Sequence, residues 1–437
     1  MNAVWLLMGL LLLSYIGSFL VGGHALRGYG LASGTEYVVL GFLLGPFALG
    51  LVTSTTLGLV EPVADVALGW LALVVGLGFG FDGNNRVRPD RVALGVVLSL
   101  ATGGVVTTVV WLLAWQLAPA LGGRQITLLA IGVGAACGET TRHAVIWVVQ
   151  RYRANGPLSS FIHDLAASDD LGPLLMMGVA FALSPAAKGP YPVPVYGWTV
   201  ITVGIGVVHG LVAVVLLGND FRLIQSWGVM LGTSVLTIGT TARFGLSPLL
   251  ATFVMGVTIA GASRHRDEIV AMVAPSERPV LLPVLLLAGA YVTPLGAPYL
   301  LPLAGAALAT RVLAKLGVGL LLRASLRETC CDVKPTLGLG LLSCGAVSMS
   351  VGLAFSLRFP GPVGQTVLLS AAVATVFGEF VGPAMLRGAL RHAGEIAAVS
   401  EAPPPFKSAA PAARSVPPRA TPIPSSIPPE GPEEGET

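Results

Sequence analysis

Ser168-Asp169-Asp170-Leu171-Gly172-Pro173 places two adjacent acids inside a mostly apolar run that covers residues 157–184. Twelve residues separate Pro157 from Asp169, which is about 18 Å along a helix that rises ~1.5 Å per residue. In water that depth would mean little. In a bilayer with a hydrocarbon core roughly 30 Å thick, it is close to the midplane. The solvent of the chain therefore decides what the pair signifies.

The composition answers for lipid. Of 437 residues, 54% are hydrophobic and 11% are charged, against roughly 25% charged in an average soluble protein, and mean hydropathy is +0.80. A soluble surface needs charges that are missing here. The 56 glycines suit helices that must approach closely in a membrane. Thirteen apolar segments follow one another, at 3–22, 35–52, 61–80, 91–119, 125–150, 157–184, 193–217, 221–240, 246–262, 269–292, 297–322, 334–357 and 363–388. The expected fold class is all-α, a polytopic bundle of about thirteen transmembrane helices. The first segment is longer than a signal-peptide core and lacks a basic lead, so it is expected to remain as a helix. Residues 1–390 make up the membrane domain, and the Pro-rich stretch 401–437 reads as a disordered tail.

Lysine and arginine in short loops favour the cytoplasmic side. Connections after odd-numbered segments hold twelve, namely Arg27, Arg86, Arg88, Arg91, Arg151, Arg153, Arg222, Arg264, Arg266, Arg323, Arg327 and Lys334. Those after even-numbered segments hold four, namely Arg124, Lys188, Arg243 and Arg358. The N-terminus is therefore expected outside and the C-terminus inside the cell's inner membrane. A net charge of +3 without a basic patch gives no reason to expect nucleic acid, and Cys137, Cys330, Cys331 and Cys344 have neither zinc nor disulfide spacing. No cofactor and no enzymatic activity are expected.

Two short patterns recur seven segments apart. Gly41-Phe-Leu-Leu-Gly45 has a counterpart in Thr252-Phe-Val-Met-Gly256, and Cys137-Gly138 before Thr140 and Thr141 has one in Cys344-Gly345 before Ser348 and Ser350. An odd offset inverts the second unit, as in transporters built from inverted-topology repeats.

An ionised carboxylate at mid-bilayer costs at least about 2.5–3.5 kcal/mol, so two neighbours need a cation, a proton or a basic partner. A site that holds either proton or cation is what exchange of the two requires. Because Leu171-Gly172-Pro173 follows, the alternative is that the pair lies in a turn and not in the interior of a helix. Arg311 and Lys315, one turn apart in the eleventh segment, offer the partner. By helical rise they lie about 18 Å and about 12 Å from the segment's end, so depth favours Arg311, with Lys315 second. Cys137-Gly-Glu-Thr-Thr-Arg-His143 is too polar for a plain membrane helix and predicts a break lined by Thr140 and Thr141, with Glu139 and Arg142 as an internal ion pair. Gly338, Gly340, Ser343, Gly345, Ser348 and Ser350 predict a second broken helix crossing the first. His163 and Asp164 are candidates for an entry path. Glu61 and Asp65 read as caps of the third segment, while Glu379 and His209 lie deeper without an evident role. An intramembrane aspartyl protease is set aside, because adjacent acids on one helix cannot face a peptide bond from both sides, and Gly78-Phe-Gly-Phe-Asp82 is not Gly-x-Gly-Asp.

Residues 35–390 resemble the monovalent cation:proton antiporter superfamily, in its bacterial sodium/proton exchanger branch with paired aspartates. The resemblance rests on Tyr37-Val-Val-Leu-Gly-Phe-Leu-Leu-Gly-Pro46, on Thr140-Thr141, and on Asp169-Asp170-Leu-Gly. It implies a core bundle with crossed broken helices beside a dimerisation bundle, in a homodimer. It also implies that Asp170 is the main carrier of Na+ or K+ and of protons, that Asp169 pairs with the basic residue of the eleventh segment, and that Thr140 and Thr141 lie near the ion. The charged Glu139, Arg142 and His143 depart from the family's pattern. A non-transporting sensor or partner subunit that keeps the fold is the second reading.

Overall fold

The computed structural model describes residue 9 and residues 34–82, 85–185, 193–218, 223–327 and 336–396. The first apolar segment, Arg27, Lys188, Arg222, Cys330, Cys331, Lys334 and the tail 401–437 lie outside the described residues.

Among the described residues, apart from the short antiparallel pair Phe81–Asp82 with Asn85–Arg86, every element is helical. The helices are α1 (Thr35–Leu44), α2 (Ser54–Gly78), α3 (Pro89–Leu117), α4 (Gly123–Ala136), α5 (Arg142–Tyr152), α6 (Pro157–Ala166), α7 (Leu171–Ala182) and α8 (Val195–Leu217). They continue as α9 (Leu223–Phe244), α10 (Pro248–Ala262), α11 (Arg266–Val273), α12 (Glu277–Tyr291), α13 (Leu300–Arg327), α14 (Leu337–Gly340), α15 (Ala346–Arg358) and α16 (Pro362–His392). Proline opens α3, α6, α10 and α16, where its missing N–H costs nothing. Among the described residues, seven spans are long and apolar enough to cross a membrane, one of which is α6 with α7 and another α11 with α12.

Segments two to thirteen all correspond to helices, with three instructive differences. The third starts at Ser54, capped by Thr53, whose hydroxyl accepts from the Thr56 N–H at 3.3 Å. Glu61 and Asp65 are therefore interior residues on either side of Pro62 and not caps. The tenth segment, expected as one helix, is divided by a single 3-10 turn, Ala274–Ser276, just before Glu277. In the sixth, the aspartates are not in an unbroken helix: residues 167–170 form a turn between α6 and α7, although Ala167 and Asp170 keep right-handed helical dihedrals.

Small residues let helix backbones touch. A Cβ on Gly41 would overlap the Leu286 carbonyl of α12, and one on Gly256 would overlap the Leu73 carbonyl of α2. The two sequence patterns containing these glycines thus serve the same purpose, close packing. A separate apolar cluster at one end joins Leu158, Ile162 and Leu165 of α6 to Val318 of α13, Leu337 of α14 and Leu386 and Leu390 of α16.

Candidate functional site

The site forms where two helices stop. α4 ends at Ala136 and α5 starts at Arg142, while α14 ends at Gly340 and α15 starts at Ala346. Each stop leaves backbone carbonyls or N–H groups without helical partners. The breaks satisfy each other: Thr141 N–H donates to Ser343 O at 2.9 Å, Thr140 Oγ1 to Leu341 O at 3.3 Å, and Ser348 Oγ to Ala136 O at 2.7 Å. Approach this close requires Gly345, since a Cβ there would come within 2.5 Å of Thr141 Oγ1.

Two charges complete the crossing, each matched to a helix dipole. Arg311 has no exposed surface. Its guanidinium donates to the carbonyls of Cys137, of Glu139 at 2.6 Å and of Leu342 at 3.1 Å, so it sits at the negative, C-terminal ends of α4 and α14. The carboxylate of Glu139 accepts from the Ser348 N–H at the positive, N-terminal end of α15. The expected Glu139–Arg142 ion pair does not form, because α15 claims the carboxylate while the Arg142 Nη2 donates to Phe81 O at 3.4 Å.

The aspartates lie against this crossing. Asp169, 4% exposed, accepts from the Thr140 N–H through Oδ2 at 2.7 Å. Its Oδ1 is buried without a hydrogen-bond partner. Lys315, 3% exposed, donates from Nζ to Thr140 Oγ1 at 2.7 Å. The basic residue beside Asp169 is therefore Lys315, the second choice on depth, while Arg311 is occupied by carbonyl oxygens. Thr140 both accepts from Lys315 and donates to Leu341, so its hydroxyl serves the frame; Thr141 is buried at the same crossing. Asp170 is half-buried, and the charged groups that act on it are Asp169, Glu139, Arg142 and Glu277.

On this side of Asp170, His143 Nε2 lies 3.2 Å from Glu277 Oε1, linking α5 to α12. Glu277 was not among the candidates drawn from the sequence, although an acid inside an apolar segment was itself a signal. The accessory candidates separate. Ser348 and Glu139 belong to the crossing, and Arg142 stands near Asp170. Asp164 forms an ion pair with Arg91 of α3, while His163 stays on α6, a turn or more before the aspartates. His209 contacts Thr237 at 3.0 Å, away from the site.

Among the described residues, no three His, Cys, Asp or Glu side chains cluster as in a resident metal centre. What the site leaves unmatched is carboxylate oxygen, Asp169 Oδ1, a donor that suits hard cations.

No protein-family model matches the chain, and no curated protein does. Solved structures do. The sodium/proton antiporter MjNhaP1 of Methanocaldococcus jannaschii, determined at pH 8, superposes with a TM-score of 0.64 at 14% identity, covering 90% of this chain and 98% of that one. An electron-microscopy structure of the same antiporter gives 0.63 at 16% identity, covering 91% and 100%. This chain has the fold seen in a sodium/proton antiporter.

Proposed function

We propose that the protein is a secondary transporter that exchanges a monovalent cation, Na+ or K+, for protons at Asp169 and Asp170. The observation that carries this reading is Asp169 Oδ1, a buried carboxylate oxygen left without a partner beside Asp170 and within the field of Lys315. Lys315 offsets part of the charge of Asp169, and the unmet oxygen beside a second acid leaves a place for a proton or a cation. The similarity to a sodium/proton antiporter supports the same chemistry.

In this reading Asp170, the more open of the two, takes the cation or the proton, and Asp169 shares it. A cation arriving displaces the proton, and a proton arriving expels the cation. Lys315 balances charge while Asp169 is ionised, and an ammonium, unlike a guanidinium, can release a proton of its own. The backbone carbonyls at the breaks are already matched by Arg311, so the crossing keeps its shape while the ion changes. Alternating access then moves the site from one face of the membrane to the other. The two halves of the bundle act as inverted repeats, the N-terminus lies outside and the C-terminus in the cytoplasm of the inner membrane, and two copies pair. The test is purified protein in proteoliposomes with an imposed pH gradient: added Na+ or K+ collapses the gradient, whereas no collapse by Na+, K+ or Li+ from acid to alkaline pH supports the sensor reading instead.

A further inference from the structure

After α16 the chain turns back onto the bundle. α16 ends at His392, Gly394 takes a positive φ of 77°, and the Glu395 N–H returns to Leu390 O at 3.0 Å. The turn lays the Glu395 carboxylate over the start of α6. Oε1 accepts from the Leu158 N–H at 2.6 Å and Oε2 from the Ser159 N–H at 2.7 Å, while the Glu395 carbonyl accepts from Asn155 N–H at 3.2 Å. Two otherwise orphaned N–H groups are thus met by one carboxylate from the far end of the chain, and its charge suits the helix N-terminus.

Nothing local does this work. The N-cap of α6 is Gly156, and the Ser159 hydroxyl points back to Gly156 O at 3.0 Å. Gly156 is extended, with φ 171°, so its backbone would admit any residue. Its missing side chain matters for another reason: a Cβ there would fall on the Glu395 carboxyl group. The seat is shaped for the carboxylate.

α6 leads into the turn that holds Asp169 and Asp170, and its apolar face shares a cluster with the helices that bear Lys315 and the second break. We infer that Glu395 is a positioning residue for the aspartate pair, fixing α6 against the end of α16 without touching the ion. The inference rests on the exchange reading above. When the cap is lost, the binding-competent arrangement is only part of the population, and apparent affinity falls by that fraction.

The experiment uses the full chain in proteoliposomes, with Na+ and K+ as probes, together with amide hydrogen exchange. Glu395→Ala and Gly156→Ala, which fills the seat, are expected to raise the apparent cation KM roughly 3- to 10-fold, the scale of a lost N-cap, with maximal rate per folded protein within about twofold of wild type. Glu395→Gln, which keeps the shape and one acceptor oxygen, falls between. Amides of residues 158–166 should exchange faster in both alanine variants, and those of α8 should not. An unchanged KM beside an active wild type overturns this inference alone, including the case in which only the maximal rate falls, as for a purely structural cap. A wild type without exchange overturns the transport reading and this inference with it.

Discussion

Asp169 and Lys315 meet on one residue: the carboxylate takes the Thr140 N–H at 2.7 Å and the ammonium donates to the Thr140 hydroxyl at 2.7 Å. Thr140 is therefore held from both sides at the point where the first helix breaks. The basic residue near the acids is one that can lose its charge, and the one that cannot is spent on carbonyls.

That division predicts different outcomes for the two basic positions. Arg311→Ala leaves buried carbonyls of Cys137, Glu139 and Leu342 without their donor, at about 1–3 kcal/mol for each unmet group. Loss of folded protein is expected, seen as a lower melting temperature in detergent. Lys315→Met removes one hydrogen bond and a charge, so the protein should remain folded while exchange changes its pH profile. An Arg311→Ala variant as stable as wild type would contradict the assignment.

Gly345→Val should abolish exchange. The added atoms meet Thr141 where a single Cβ already lies at 2.5 Å from its Oγ1 and 2.9 Å from its Cβ, and the crossing must open. Gly104→Val, at a helical glycine with open space around it, is the control and should retain exchange. Ion flux in proteoliposomes compares the two.

Asp164 has a partner, and that sets its expected effect. Asp164→Asn and Arg91→Gln each break the same partly buried ion pair between α6 and α3. A double-mutant cycle on thermal stability should give a coupling of about 1 kcal/mol or more, with any change in cation KM shared by the two single variants. A rise in KM for Asp164→Asn alone would assign it to the ion path instead.

Glu139→Gln keeps an acceptor for the Ser348 N–H but removes the charge at the start of α15. A loss of about 0.3–2 kcal/mol in stability is expected, and Glu139→Ala should cost more. Calorimetry or a thermal-shift series in detergent measures both.

Much of the site was legible because charge is scarce in this chain. Asp169 and Asp170 stood out by depth in an apolar run, and the polar string from Cys137 to His143 announced the first break. The second break was readable from its glycines and serines. The choice between Arg311 and Lys315 was not, because residues one turn apart share a helix face and depth says nothing of carbonyls freed by breaks elsewhere. Those carbonyls, of Cys137, Glu139 and Leu342, captured Arg311. The turn at 167–170 was an open alternative, signalled by Leu171-Gly172-Pro173, but the length of the apolar run favoured a continuous helix. Glu395 was invisible for a different reason: its partners lie more than 230 residues earlier, and no local pattern records a contact of that range.

The central claim is that the aspartate pair is the shared seat of cation and proton. The most direct measurement compares wild type with Asp170→Asn in proteoliposomes, following cation-driven collapse of a pH gradient for Na+, K+ and Li+. The account predicts exchange by the wild type for at least one of these ions and none by the variant, with both proteins folded. Undiminished exchange by Asp170→Asn would contradict it.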